Sequence, residues 1–415
     1  MNIVNYNIKK YRLKNGIKVI LNKNINNYSI ACNFFFHVGS KNDFIKNRGL
    51  ANFFKYYIIF NKKTFEKKIK NLGAILNAFV THDGTYFNII IIKHQLELIL
   101  NLMSQNFKNL LFNKKNILKI INFINKEKYN NNNNNNINNF YNNLIYKIIP
   151  KYLFKKHLYK NPIIGKVKEL KKCLIKNYKK FYKKYFISNN MVISISGNIS
   201  FNKTKKYINK YFSKFYKKKL FIPKSVKESK LKNNVVYFKN KYINFFIGIL
   251  LYRLPSILNK DIYLIKFIKY YFMNKYENYL LKIIKKKNNN IIDINFKLNI
   301  MENYSTIYIY YIVKCKKHIL KILKIINNFF KKISKKGLKK KKINMYKKLI
   351  IKNEILNNLD NYQISINLTN NLIFYKNVKY VNKLINYYNN ITNLQIKNIF
   401  KKYFFNKIFI LINEK

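Results

Sequence analysis

The sequence has no tryptophan, four prolines, nine glycines and three cysteines, and 14 acidic residues stand against 84 basic ones. Cys32, Cys173 and Cys315 are odd in number and far apart, which excludes Cys-x-x-Cys zinc and redox spacings and suits free thiols in a reducing compartment. No stretch reaches the ~20 apolar residues that a membrane-crossing helix needs. Met1 to Tyr11 carries Lys9 and Lys10 but no apolar signal core and no Arg-rich transit pattern, so a soluble, cytoplasmic chain is expected. There is no Gly-rich phosphate loop and no Ser/His/Asp or Cys/His signature of nucleophilic catalysis. The histidines, His37, His82, His94, His157 and His318, never share a helix face at i, i+4 spacing.

What the chain does have is Lys, Asn, Ile, 36 Tyr and 34 Phe. These are residues whose codons are built largely from A and T, so the expected source is a very AT-rich genome, such as that of a reduced endosymbiont. Part of the formal net charge of +70 is then mutational. A basic chain attracts polyanions, which keeps nucleic-acid binding as an alternative. It ranks low, because Arg12, Arg48 and Arg253 are the only arginines, and arginine is the favoured fork for phosphates and base edges. The lysines also run along the whole length instead of forming one patch. At 415 residues the chain can build two domains with their own cores.

Asn15-Gly16 supplies a tight turn between strands around Tyr11 and Leu21, and Ser29 to Val38 reads as a third strand. After a polar loop from Gly39 to Asp43 comes Gly49-Leu50-Ala51-Asn52-Phe53-Phe54-Lys55-Tyr56-Tyr57-Ile58-Ile59-Phe60, an apolar helix entered through a glycine. Asn52 and Tyr56 lie on one face of it, with Lys55 beside them. Gly73 caps a short helix, and Asp83-Gly84 turns one strand into another that runs from Thr85 to Ile92. Helices follow over His94 to Leu110 and Phe112 to Tyr129, and the Asn130–Asn136 run reads as a disordered expansion. A helix over Ile175 to Phe186 and a strand over Met191 to Gly197 complete the first half. Lys217 to Lys232, with Pro223, reads as a linker. The second half repeats the order: strands from Val235 to Leu251, a helix from Leu258 to Met273, strands from Ile291 to Val313, several helices and a last strand from Lys407 to Ile412. Lys183-Lys184-Tyr185-Phe186 and Lys401-Lys402-Tyr403-Phe404 precede the closing strand of each half, which points to an internal duplication.

Gly39-Ser40, Gly49-Leu50-Ala51, Leu72-Gly73, Asn77-Ala78, Asp83 and Thr85-x-Phe87 occur in an order and spacing that resemble the inverted-zincin peptidases, the insulinase/pitrilysin and mitochondrial-processing-peptidase family. The resemblance implies two tandem α+β domains, each a mostly antiparallel sheet with helices packed on one face. It divides the chain into residues 1–216, a linker 217–232 and residues 233–415. It also implies where chemistry should sit. Intact members carry His-x-x-Glu-His on the site helix; here Asn52 and Tyr56 take the positions of the two ligands and Lys55 that of the base. Glu127 takes the position of the third ligand, and Ile120 that of a second acid. An Arg and a Tyr that hold substrate in active members fall on Lys285 and Ile292. His157 lies in a structural segment, and His82 is read as a turn histidine. Asn77, Ala78 and Thr81 belong to an edge strand that pairs with extended peptides, a mode that depends little on side chains.

A zinc peptidase needs three ligands and an open position for water. An amide, a phenol that is protonated near neutrality and an added cation do not supply them. The expectation is therefore a zinc-free, non-catalytic subunit that binds peptide and forms a homo- or heterodimer with an insulinase-like paralogue. The alternatives are a metallopeptidase with an altered site built around Glu127, and a basic nucleic-acid-binding protein.

Overall fold

The computed structural model describes residues 6–25, 27–60, 63–108, 110, 112–133, 148–219, 226–239, 245–274 and 278–413. Two sheets organise them. The first contains β1 (Asn7–Arg12), β2 (Lys18–Lys23), β3 (Ser29–Phe36), β4 (Ile75–Val80), β5 (Thr85–Ile92) and β6 (Met191–Gly197), in the spatial order β1-β2-β6-β3-β5-β4. The second contains β7 (Asn234–Lys239), β8 (Phe246–Leu254), β9 (Ile291–Asn299), β10 (Ser305–Val313) and β11 (Ile408–Asn413), in the order β7-β11-β8-β10-β9. In the first sheet β2 and β6 run parallel and the other pairs antiparallel; in the second, only β7 and β11 run parallel. Removing the β1 hairpin strand therefore leaves one topology written twice. The repeated Lys-Lys-Tyr-Phe segments precede β6 and β11, the two strands that correspond.

Alternation along the strands gives each sheet two buried faces. One face of the first sheet (Leu21, Cys32, Phe34, Phe36, Ile89, Ile195) packs on helices of its own half. The opposite faces are covered as well, each by a helix of the other half. Ile20, Phe35, Tyr86 and Val192 pack against Ile364, Leu368 and Leu372 of helix Asn361–Tyr375, which belongs to the second half. Conversely, Ile247, Ile249, Ile410 and Ile412 of the second sheet pack against Ile149 and Leu153 of helix Ile149–Leu153, from the first half. A strand buried on both sides reads as a continuous apolar run, as Ile247 to Leu251 does.

The seam beneath helix Asn361–Tyr375 is polar as well as apolar. Asn361, Ser365 and Thr369 recur every fourth residue, face the first sheet and are fully buried. Asn33 Nδ2 donates to Thr369 Oγ1 (2.8 Å), Ser196 Oγ to Asn361 Oδ1 (3.0 Å), and Asn361 Nδ2 to the Ser29 carbonyl (2.8 Å). Tyr86 Oη donates to Asn370 Oδ1 at 2.8 Å. These bonds fix the register of the second half on the first.

Two expectations meet the structure differently. The helix after Phe112 runs Lys114–Asn133, so the first four residues of the asparagine run are helical; residues 134–136 lie outside the described residues. Once a helix is nucleated, each added residue gains a bond at little cost, which outweighs the weak propensity of asparagine. The expected linker has neither helix nor strand among its described residues, and residues 220–225 with Pro223 lie outside them. Its end is docked. Glu228 accepts the N–H groups of Lys156 (2.6 Å) and His157 (2.5 Å) and lies 3.5 Å from Arg253. No helix among the described residues is long and apolar enough to cross a membrane.

Substituting Asn361→Ala removes three side-chain hydrogen bonds, those with Asn24, Ser196 and the Ser29 carbonyl, and takes the acceptor from the Ser196 hydroxyl. Denaturant unfolding is expected to show a loss of about 2–4 kcal/mol, from roughly 1 kcal/mol per bond plus the unpaired partners.

Candidate functional site

The site helix, Leu50–Phe60, is fixed at its start before any chemistry is considered. The Asp43 carboxylate accepts the N–H of Gly49 (2.6 Å) and of Ala51 (2.9 Å), capping the helix from the preceding loop. Burial raises the Asp43 carboxyl to about 7, and those N–H donors pull the other way. Gly49 has φ +103°, a conformation that glycine adopts without strain, and a Cβ on Gly165 would stand 2.2 Å from the Gly49 Cα. The two backbones touch there. Beside them Arg48 forks onto Glu169, with Nε–Oε2 at 2.9 Å and a second bond from Nη2 to Oε1.

Leu50, Phe53, Phe54 and Tyr57 of this helix enter the core. On the other side, Tyr56 Oη donates to Glu127 Oε2 at 2.6 Å across to helix Lys114–Asn133. The Lys55 ammonium lies 3.7 Å above the centre of the Tyr56 ring. Burial lowers the Lys55 pKa to about 8, opposed by the nearby Glu127 charge. Burial and the bond to Glu127 raise the Tyr56 phenol well above its ordinary value, so it stays protonated and donating. Phe123 closes the pair from the side, 5.1 Å from the Tyr56 ring. Asn52, one turn earlier, is 4% exposed, and its Nδ2 has no hydrogen-bond partner among the described residues. Ile120 is buried in the core.

These residues do not fit a zinc ion. The one carboxylate is already bonded to a phenol that stays protonated, and a cation sits beside it. No group of three or more His, Cys, Asp or Glu side chains that could hold a metal occurs among the described residues. The arrangement instead satisfies Glu127 from within the chain, with one hydrogen bond and one positive charge.

The remaining candidates scatter. Lys285 is exposed at the end of helix Tyr279–Lys285, and Ile292 is 37% exposed on β9. β4 is the outer strand of its sheet, with Ile75 exposed. Ala78 is half-buried against the core, and Asn77 Nδ2 donates to Tyr362 Oη (3.0 Å) in the second half. Thr81 lies just past the strand; its carbonyl accepts Ser40 N–H (3.1 Å) and its Oγ1 closes the turn at Gly84. His157 Nδ1 accepts Tyr159 N–H at 3.2 Å, a structural contact.

Sequence reasoning missed a polar node between the halves. Lys41 Nζ contacts Asp83 (2.9 Å) and Glu302; His37 Nε2 lies 2.9 Å from Glu302 Oε2; Tyr159 Oη donates to Asp83 Oδ1 (2.6 Å); and the Glu302 N–H donates to Asp83 Oδ2 (2.9 Å). Ser40 Oγ and His82 Nδ1, 2.7 Å apart, adjoin it. The Gly39–Asp43 loop and the Asp83-Gly84 turn were legible as loops. That a second-half glutamate would meet them was not.

Two sheets of one topology, a capped site helix packed on the first and a helix carrying Glu127 facing it make up the scaffold. Residues 18–165 match the family model Insulinase (Peptidase family M16), and residues 175–350 match Peptidase M16 inactive domain. The chain belongs to this insulinase family. Over 204 residues it is 25% identical to an uncharacterized zinc protease of Rickettsia felis, a match covering 48% of each. The chain spans about half the length of the curated relatives it matches. Its fold resembles that of a protease from Helicobacter pylori, with TM-score 0.88 and 15% identity over 99% of this chain and 100% of that one. It also resembles a peptidase M16 inactive domain from Pseudomonas fluorescens, with TM-score 0.82 and 14% identity over 99% and 98%.

The node gives stability a pH dependence. Burial raises the Glu302 pKa, but His37 and Lys41 outweigh it and hold it at about 2, so its contribution is present above 4.5 and lost as pH falls toward 2. Burial lowers His82 to about 4, which removes stability as pH falls from 6.5 to 4; Asp43, raised to about 7, acts in the opposite sense over much of that range. Thermal unfolding of wild type and Glu302→Gln is expected to differ by a roughly constant amount above pH 5, and the difference is expected to shrink progressively as pH falls from about 4.5 toward 2, as follows from this linkage.

Proposed function

We propose that this chain is a non-catalytic member of the insulinase family, a partner subunit that holds or encloses extended peptides beside an active paralogue in a cytoplasmic dimer. The observation that carries the reading is the pairing of Tyr56 with Glu127 beneath the Lys55 ammonium. At these positions a peptidase of the family needs two metal ligands and a base. A half-buried ammonium repels a divalent cation, and a phenol bonded to the carboxylate occupies the ligand it would use. The rest of the site helix is intact in its capping and packing, which supports retention of the scaffold without the chemistry. The outer edge of β4 supports peptide pairing, because main-chain bonds need no particular side chain there. Within this reading the two domains are 1–216 and 233–415, joined by 217–232.

The test mixes the purified chain with an intact His-x-x-Glu-His paralogue from the same genome and follows cleavage of an unstructured peptide. Activity above the paralogue's own, with none from this chain alone, is the expected result. Hydrolysis by this chain alone, or no effect on the paralogue, contradicts it. A second measurement addresses the site. The triple substitution Asn52→His, Lys55→Glu, Tyr56→His is expected to gain one bound zinc per chain. Adding Glu127→Gln to it is expected to weaken zinc by about 10-fold or more, because one of three protein ligands is gone.

A further inference from the structure

A cavity of about 570 Å3 lies in the second half between the start of β11 and helix Lys317–Lys336, and shares no lining residue with the site helix. Phe330, Phe404, Phe405 and Phe409 line it, with Leu323. Phe330, Phe404 and Phe409 are core residues, whereas Phe405 is 37% exposed, so the cavity is where the aromatic core opens to solvent. The rest of the lining is polar apart from Val235: Asn233, Asn234 and Asn327, with two cations, the exposed Lys331 and the half-buried Lys407.

Lys407 is half-buried, and its Nζ donates to Asn327 Oδ1. Burial and the Lys331 charge both lower its pKa. No carboxylate occurs among the described residues lining the cavity. A partly buried ammonium with a neutral amide as its partner and a second cation nearby is unfavourable unless an anion completes the site. The volume falls in the roughly 300–1,000 Å3 range of small-molecule sites.

We propose that this cavity binds a small amphiphile with one carboxylate on an apolar body. The head sits between Lys331 and Lys407, and the body lies against the phenylalanine rings. A free alkyl carboxylic acid and the C-terminal residue of an apolar peptide share that chemistry. The site is independent of the pseudo-active site and stands or falls without it.

Calorimetric titration of the full chain tests this with octanoate, octylammonium, N-acetyl-Leu-Phe and the amide of that dipeptide. Octanoate or the free-acid dipeptide is expected to bind once per chain, and octylammonium and the dipeptide amide not measurably. Whichever acid binds more tightly identifies the source. Lys407→Gln is expected to weaken binding by about 10-fold, as for one charge-assisted bond, while raising the melting temperature of the ligand-free chain because an unpaired half-buried charge is gone. Lys324→Gln, an exposed change on helix Lys317–Lys336 outside the cavity lining, is expected to leave binding as in wild type. Equal binding of octanoate and octylammonium, several octanoates per chain, or unchanged affinity in Lys407→Gln would overturn the proposal.

Discussion

Both sheets present two apolar faces, and the helices of each half are sufficient to cover only one of them, so the fold rests on an exchange. Helix Asn361–Tyr375 covers the bare face of the first sheet, and helix Ile149–Leu153 covers that of the second. Apolar burial drives both contacts, but direction comes from the polar seam of Asn33, Ser196, Asn361 and Thr369, since a shift of one turn would leave these buried groups unpaired. The relation between the halves then places the β9–β10 loop, and Glu302 with it, against Lys41 and Asp83. The site helix inherits its position from the same scaffold, through the Asp43 cap and the Gly49–Gly165 contact.

The charge of the chain is informative through its exceptions. All three arginines donate to groups within the chain. Arg12 Nε bonds the Gly16 carbonyl (3.2 Å), Arg48 forks onto Glu169, and Arg253 Nη1 bonds the Leu153 carbonyl (2.9 Å) at the end of the exchanged helix Ile149–Leu153. Arg48 and Arg253 each use several donors of a planar fork that lysine does not supply. The residues best suited to reading nucleic acid are therefore engaged in holding the fold, while the lysines are spread around it.

Much of the architecture was legible from local rules. The Asn15-Gly16 and Asp83-Gly84 turns, the Gly73 cap and the β5 span Thr85–Ile92 all follow from turn chemistry and alternation. The site helix was legible from its glycine entry and its i, i+4 face, and the structure brings Tyr56 and Glu127 into contact across two helices. Long-range partners were not legible. Nothing local in Asn361, Ser365 and Thr369 says that their polar stripe belongs against a distant sheet; within a helix such residues are neutral or weak formers. The helical start of the asparagine run was misread because composition was weighed without the helix that precedes it. Asp43 was read as part of a polar loop, and its role as a cap depends on the chain folding back six residues later.

The central claim is that the Lys55 cation and the Tyr56–Glu127 bond have taken the place of a metal centre. Native mass spectrometry of the full wild-type chain in excess zinc tests it most directly. The account predicts no zinc adduct that depends on Glu127, so wild type and Glu127→Gln should give the same spectrum. One zinc per wild-type chain, lost in Glu127→Gln, would contradict it.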